Sequence, residues 1–568
     1  MINFAALGGA GFLEALLIAV LAALSQYVVL RAGVFSLGTV GFMAIGAYTV
    51  AVLTVKYHVA PPLAVLCGIL LATIVGVALG ALVGKLRGAY QGIATLSFVL
   101  VVERIIALWE SVTGGPFGIT SIPLFARYGL LLATAAGALI IVIALELTPT
   151  GRKQSAVRID ELAAASFGTN VAWVNLVAMS VSAAIGGLAG AMMAGNQFAV
   201  DPTAFSFGLI IATLAAVIIG GYRSFLGPLF GAFVVVALPL LFSRHQILAS
   251  TIVAIVTILI LGFAPRGLAA LTRLDGEFLL RLFKGPLREN RAGSSGPSLL
   301  MPVSNDGGRV LAAFEIARAY GAVRAVDGVS LTIESGQIVG LIGPNGAGKT
   351  SVINLLAGVV RLDDGRVTVG GQRIDTLPAY LVQRQGIART FQACRLFHEH
   401  SAWSNVLLAA TSGRSRSQRR ERPDRACAQA AMAFTGCLDL ADRRAGDLPY
   451  AFQRRIEIAR ALACEPRFLL LDEPAAGMTQ SEATDLGDVL RRTAAQGVGV
   501  LVVDHNVPWI LSLCDIVNVQ HMGKIIACGP PAAIRGDPQV ISAYIGGYVE
   551  AHEPSSECGN ANEAGVGA

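Results

Sequence analysis

Nine residues, Gly343 to Ser351 (GPNGAGKTS), have the composition and spacing to hold a polyphosphate. Gly343, Gly348, Lys349 and Thr350 occupy the fixed places of the pattern G-x-x-x-x-G-K-[ST]. Between them Pro344, Asn345, Gly346 and Ala347 make a loop whose glycines let backbone N–H groups turn towards phosphate oxygens. Ser351 continues into a helix whose N-terminus adds a favourable dipole. Lys349 is then placed to reach the β- and γ-phosphates, and the Thr350 hydroxyl to ligate Mg²⁺. Two acid-bearing steps follow later in the chain. Asp472 and Glu473 end a short apolar run, and Asp504-His505 ends another. An aspartate there suits Mg²⁺, a glutamate beside it suits polarising an attacking water, and an imidazole nearby can hold that water against the γ-phosphate.

These groups work only if strands deliver them to one edge. Gln337–Ile342, Phe468–Leu471 and Val498–Val503 are continuous apolar runs, the pattern of strands buried on both faces of a parallel sheet. Each ends at one of the three chemical steps, so a parallel sheet would present all three at its carboxyl edge. A glycine-rich turn that binds nothing is the plain alternative, and the strand before and helix after the loop argue against it.

The rest of the chain has a different character. Its 568 residues exceed one ordinary domain, and 54% hydrophobic with only 14% charged residues is a membrane composition. Nine apolar blocks, at Gly11–Leu30, Thr39–Val55, Pro62–Gly84, Ile93–Leu108, Tyr128–Leu147, Val171–Ala194, Phe205–Gly221, Phe225–Phe242 and Ile247–Ala264, are read as about nine helical spans. The start lacks a basic n-region, so no cleaved leader is expected. With the second half in the cytoplasm, Arg31, Lys85, Arg87, Arg152, Lys153, Arg158, Arg223 and Arg266 fall in inside loops, which fits the positive-inside bias. Charges near span depth are Glu14, Glu103 and Arg104. The net charge of +6 is small for this length and argues for no nucleic-acid partner. The eight cysteines show no metal or redox spacing, and thiols near a nucleotide site imply a reducing compartment.

Between the fifth and sixth blocks lies a polar stretch, AVRIDELAAASFGTN, with Glu161, Ala163, Ala164 and Gly168. It suits either a small helix that docks in a partner's groove or an ordinary amphipathic connector, and spacing alone leaves both open. This stretch resembles the coupling loop of ABC importer permeases. Phe35-Ser36-Leu37-Gly38, Ile45-Gly46-Ala47-Tyr48, Thr113 to Ile119 (TGGPFGI), Gly186 to Ala191 (GGLAGA), Ile219-Gly220-Gly221 with Gly227-Pro228, and Ala264 to Leu268 (APRGL) resemble the branched-chain amino-acid importer family in particular. Thr39 departs from it, because a histidine commonly follows Ser-Leu-Gly there. Residues 310 to 547 resemble the ABC nucleotide-binding domain, and ARTFQACRLF and LDEPAAGM resemble the amino-acid subfamily. The resemblance implies Tyr320 under the adenine, Gln392 between Mg²⁺ and the permease contact, Asp472 and Glu473 as above, and His505 as the switch histidine. It also implies a signature segment at Leu448-Pro449-Tyr450-Ala451-Phe452-Gln453, where relatives carry glycine in place of Ala451. A methyl there would crowd the γ-phosphate of a partner's ATP, so an asymmetric pair of ATP sites is expected.

The fold expected is therefore multi-domain. An N-terminal all-α polytopic membrane domain takes residues 1–273, a Gly/Ser-rich linker 274–308, a C-terminal α/β P-loop ABC domain with a helical subdomain 309–548, and a disordered tail 549–568. The basic run from Arg414 to Arg425 is read as a solvated face. The family resemblance implies ATP and Mg²⁺, a second permease and a second ATPase subunit, an extracytoplasmic solute-binding protein, a lipid bilayer, and import across the inner membrane. A membrane-tethered regulatory ATPase and an exporter are the alternatives.

Overall fold

The computed structural model describes residues 9–84, 86–241, 246–263, 267–269, 310–414 and 423–545. The expected linker, the expected tail and most of the basic run, residues 415–422, lie outside them. The chain separates into two compact units. One takes the described residues up to Ile159 and from Val171 to residue 269; the other takes Asp160–Asn170 together with the described residues from Val310 onward.

Every apolar block is helical in the first unit. The helices are α1 (Ala10–Arg31), α2 (Thr39–Val55), α3 (Pro61–Val83), α4 (Ala89–Leu108), a single turn α5 (Glu110–Thr113), α6 (Tyr128–Leu147) and α7 (Pro149–Ile159). After the loop helix α8 (Glu161–Ser166) come α9 (Val171–Asn196), α10 (Phe207–Gly220), α11 (Gly227–Leu241) and α12 (Gln246–Phe263). Nine full spans are not what the described helices provide. Six candidate spans are long and apolar enough to cross a membrane, while α2 and α11 have 17 and 15 residues. At about 1.5 Å per residue the 17 residues of α2 reach only ~26 Å, short of a hydrocarbon layer of about 30 Å, while α11 is described only as far as Leu241, beyond which residues 242–245 lie outside the described residues.

The helix α9 is the hub, packing on α1, α2 and α3. Small residues make this possible, because two helices can close only where neither presents a side chain. A methyl built on Gly190 would lie 1.8 Å from the Met43 carbonyl oxygen, and one on Gly46 would lie 2.1 Å from that of Gly187. Buried polar side chains in this bundle find partners in one another and in backbone carbonyls. Ser25 Oγ donates to the Ser182 carbonyl at 2.7 Å, Thr39 Oγ1 to Gln26 Oε1 at 2.7 Å, and Gln26 Nε2 to the Ser36 carbonyl at 2.7 Å. Thr39, which departs from the family pattern, is thus a buried member of this network.

The second unit is built on two sheets. Strands β3 (Val310–Tyr320), β4 (Val323–Glu334), β6 (Asp364–Val369) and β7 (Gln372–Arg373) form an antiparallel sheet in the order β4-β3-β6-β7. Strands β5 (Ile338–Ile342), β8 (Ile387–Arg389), β9 (Phe468–Asp472), β10 (Gly499–Val503), β11 (Ile516–His521) and β12 (Lys524–Gly529) form the other, in the order β12-β11-β5-β10-β9-β8. All neighbours in it are parallel except β12 with β11. The three apolar runs become β5, β9 and β10, each buried along its whole length. Short strands β1 (Ile119–Thr120) and β2 (Ala199–Val200) pair in the first unit. Helix α13 (Lys349–Leu356) follows β5, and α14 (Ala379–Arg384), α15 (Ala402–Gly413), α16 (Asp424–Phe434) and α17 (Tyr450–Leu462) lie between β7 and β9 in the sequence.

Arg414 differs from its reading as part of a solvated run. Its guanidinium is fully buried, with Nη1 3.0 Å from Asp424 Oδ1 and Nε 2.8 Å from Glu465 Oε2. Two carboxylates compensate the cost of taking that charge from water, and Glu465 comes from a turn the run itself does not reveal.

Candidate active site

Register sets the site. Val503 on β10 pairs with Leu341 on β5 and with Asp472 on β9, so the ends of three parallel strands stand side by side. The phosphate loop leaves β5, Glu473 leaves β9, and Asp504-His505 leave β10. That is the carboxyl edge at which open α/β sheets bind ligands.

The loop is held by close backbone approaches that only glycine permits. Gly348 adopts φ +105, and a methyl on it would lie 2.0 Å from the Ala325 carbonyl oxygen. The β3–β4 hairpin carrying Ala325 also carries Tyr320, whose half-exposed ring lies under the Arg318 guanidinium, 5.3 Å from it. Inside the loop, Lys349 Nζ donates to the carbonyls of Gly343 and Pro344 at 2.8 and 2.9 Å. Burial lowers the Lys349 pKa, opposed by Glu473, Asp472 and Asp504 nearby. Three carboxylates around one ammonium leave the site with an excess of negative charge, which suits a cation. Thr350 Oγ1 donates to Asp472 Oδ1 at 3.5 Å, while Asp472 Oδ2 is buried with no hydrogen-bond partner among the described residues. Burial raises the Asp472 pKa, offset by Arg389. Arg389 is itself buried, its pKa lowered to about 10 chiefly by desolvation, and its Nη1 donates to Asn354 Oδ1 at 2.7 Å.

Glu473 stands next to this pair with φ +45, a left-handed conformation that a non-glycine residue keeps only when its surroundings hold it. Its N–H donates to the Val503 carbonyl at 2.7 Å and its own carbonyl accepts from Arg454 Nη2 at 3.1 Å. His505 Nδ1 lies 3.8 Å from Glu473 Oε2. Asp504 fixes both loops, accepting from the N–H of Ala475 at 3.2 Å and of Asn506 at 2.9 Å. Gln392 is tied in through its backbone. Its carbonyl accepts from Arg454 Nη2, while its side chain is exposed.

The segment Leu448–Gln453 opens α17. Leu448 is buried, Pro449 occupies the N-cap position without a side-chain capping bond, and Tyr450 and Phe452 are partly exposed beside Ala451. Gln453 Nε2 turns back to donate to the Leu448 carbonyl at 2.7 Å.

Asp160–Asn170 packs within the same unit. Asp160 caps α8, accepting from Ala163 N–H at 2.9 Å through Oδ1, and Arg395 Nη1 reaches its Oδ2 at 2.9 Å. Ala163 and Ala164 are buried. Gly168 has φ +82, and a methyl there would lie 2.5 Å from Gln383 Oε1 and 2.8 Å from the Ser412 carbonyl. Phe167 lies 4.1 Å from the Arg460 guanidinium. Glu161 sits in the first turn of α8.

Three groups escaped the sequence reading. Arg454, Glu457 and Arg460 are charged residues of α17 to which the sequence reading assigns no role, yet all three are buried. Tyr544, in the last described helix (Pro538–Ile545), lies beside the Gly343 backbone, and burial pushes its hydroxyl up to about 12. Glu146, at the end of α6, is buried against the Tyr27 hydroxyl and 3.4 Å from Arg31 Nε. A carboxylate at the last turn of an apolar block reads as a loop residue, so only packing reveals it.

Comparison with known proteins gives three family matches. Residues 10–264 match the family described as "Branched-chain amino acid transport system / permease component", 326–476 "ABC transporter", and 524–550 "Branched-chain amino acid ATP-binding cassette transporter". The high-affinity branched-chain amino acid transport ATP-binding protein BraF of Pseudomonas aeruginosa is 38% identical over 239 residues, 40% of this chain and 94% of that protein. Its counterpart LivG of Salmonella typhimurium is 35% identical over 252 residues, 42% of this chain and 98% of that protein. The lipopolysaccharide export system ATP-binding protein LptB of Escherichia coli is 38% identical over 236 residues, 42% of this chain and 97% of that protein.

Proposed function

The chain belongs to the branched-chain amino-acid ABC transporter family, with the permease and the ATP-binding part in one polypeptide, and from that premise we propose that it imports small hydrophobic amino acids at the expense of ATP. One observation carries the reading. A segment lying inside the permease match, Asp160–Asn170, is packed as part of the ATP-binding unit, so one polypeptide supplies both the permease match and a piece of the ATP-binding unit.

In this reading Lys349 and the loop N–H groups bind the β- and γ-phosphates of ATP, and Tyr320 offers its ring to the adenine. Thr350 and Asp472 hold Mg²⁺. The pair fits that ion, since a hydroxyl oxygen lies beside a buried carboxylate that has one oxygen unpartnered among the described residues. When bound with ATP, the ion supplies positive charge against the phosphate oxygens. Glu473 takes the proton of the attacking water, and His505, within 3.8 Å of it, steadies that water. Gln392, on the segment fixed by Arg454, senses whether the joint is engaged.

Two ATP are closed between two such units, so a second permease and a second ATPase subunit complete the particle. An extracytoplasmic solute-binding protein delivers the solute, and the particle lies in the inner membrane. The partner's intact signature closes the site built here, whereas Ala451 in this chain's signature, between the bulky Tyr450 and Phe452, serves a site that binds ATP and turns it over slowly. Import is favoured over export because the loop helices α7 and α8 have only 11 and 6 residues. The likeness to LptB concerns an ATP-binding protein alone, while the match at residues 10–264 is to a branched-chain permease.

The test is leucine accumulation in liposomes holding the assembled particle. Uptake that needs both internal ATP and external binding protein is the expected result. ATP hydrolysis with no leucine movement would leave a regulatory ATPase, and leucine extrusion would leave an exporter.

A further inference from the structure

The signature helix α17 carries three charged residues turned away from water. Arg454, Glu457 and Arg460 are 1%, 0% and 0% exposed and follow one another at steps of three, along one side of the helix. Two guanidinium groups share one carboxylate: Arg454 Nη1 donates to Glu457 Oε2 at 2.6 Å, and Arg460 Nη2 lies 3.6 Å from Glu457 Oε1. The group of three therefore carries one positive charge in excess, and a buried charge must be met by other polar or aromatic groups.

The two ends meet it in different places. Arg454 donates to the carbonyls of Phe391, Gln392 and Glu473. Arg460 Nη1 donates to the Arg395 carbonyl at 2.6 Å, but its Nε and Nη2 find no hydrogen-bond acceptor among the described residues. What lies over that guanidinium is the ring of Phe167 at 4.1 Å, with Phe397 at 5.4 Å. A ring face attracts a cation most strongly where water is excluded. Glu457, between the two, also accepts from the Phe391 N–H at 3.3 Å.

We infer that Arg454, Glu457 and Arg460 form a positioning relay that ties the seating of Phe167 to the backbone of Glu473. With Phe167 seated, Arg460 is held, Glu457 stays centred between its two partners, and Arg454 keeps its grip on the Gln392 and Glu473 carbonyls. That grip helps hold Glu473 at φ +45, the conformation that aims its carboxylate. With Phe167 withdrawn, Arg460 loses its ring and draws on Glu457, Arg454 loosens, and Glu473 relaxes out of place. None of the three touches ATP; they act through Glu473. The inference rests on the importer reading above for what moves Phe167, and it adds the route by which that movement reaches the chemistry.

The experiment uses the assembled particle in liposomes, with ATP hydrolysis measured with and without a leucine-loaded binding protein. Phe167→Ala is expected to leave ATP affinity, read by titration with a fluorescent ATP analogue, within about twofold, and to lower stimulated turnover roughly 5- to 50-fold, the range of an ordinary coupling. Phe167→Tyr, which keeps the ring, restores most of the stimulation. Glu457→Gln is expected to lose stimulation too, and the double variant Phe167→Ala/Glu457→Gln to be no slower than Glu457→Gln alone, because both cut one route. Normal stimulation in Phe167→Ala, or losses that multiply in the double variant, would overturn the relay. If Glu457→Gln does not assemble, the Ala and Tyr variants of Phe167 decide the matter. Absence of leucine accumulation by wild-type particles would count against the importer reading alone, since the relay is read from hydrolysis.

Discussion

Replacing Asp160 by alanine removes two interactions at once, and their sizes can be separated. Oδ1 accepts from the Ala163 N–H at 2.9 Å, which caps α8, and Oδ2 accepts from Arg395 Nη1 at 2.9 Å. Loss of a side-chain cap costs about 1 kcal/mol. The ion pair is 21% exposed on the aspartate side and 41% on the arginine side, so screening limits it to roughly 0.2–1 kcal/mol. Together the change is about 1.2–2 kcal/mol, or roughly 7- to 30-fold in the ratio of seated to unseated segment. Asp160→Asn keeps an oxygen for the cap and loses only the ion pair, so its effect stays at or below about fivefold. Amide hydrogen exchange over Ala163 to Thr169 reads that ratio directly. Faster exchange in the alanine variant, with a smaller and salt-masked change in the asparagine variant, is the expected pattern. Equal exchange in both variants and the wild type would show that the cap and the pair do not hold the segment.

Other perturbations act on separate parts of the molecule. Gly190→Ala puts a methyl 1.8 Å from a backbone oxygen of α2, so the helices must part; destabilisation of about 1–3 kcal/mol should appear as earlier thermal inactivation in detergent, and an unchanged midpoint would contradict the packing. Ala451→Gly should raise the turnover of the assembled particle if the methyl slows the partner-facing site, and no gain would count against asymmetry. Asp472→Asn should abolish most hydrolysis, roughly 10²-fold or more, while raising the unfolding temperature near neutral pH. The sign follows from burial. The folded-state pKa of Asp472 is raised, so the native state binds more protons than the unfolded one between the ordinary carboxylate value and the raised value, and stability falls as pH rises through that window. The gap between variant and wild type should therefore narrow as the buffer is made more acid; a gap that widens would mean the carboxylate is stabilised by its neighbours instead.

What could be read from residues alone was the chemistry that is contiguous in sequence. Gly343 to Thr350 carries its own geometry, and Asp472, Glu473 and His505 follow buried strands whose register the apolar runs already suggest. The helices of the membrane half were legible for the same reason, since apolar blocks leave few alternatives. Their lengths were not: α2 ends at Val55 after 17 residues, and hydropathy is blind to that. The buried charges were also hidden. Arg454, Glu457 and Arg460 look like the polar side of an amphipathic helix until Phe391, Phe397 and Phe167 are brought over them from distant parts of the chain. Arg414 was misread for the same reason, because its carboxylate partners lie 10 and 51 residues away.

The central claim is that hydrolysis in the second half of this chain drives solute through the first half. The most direct test is leucine accumulated per ATP consumed by the assembled particle in liposomes, wild type against Glu473→Gln. The account predicts that the variant binds ATP, hydrolyses it roughly 10²- to 10⁴-fold more slowly, and accumulates leucine more slowly in the same proportion. Leucine uptake that continues at the wild-type rate while hydrolysis collapses would contradict it.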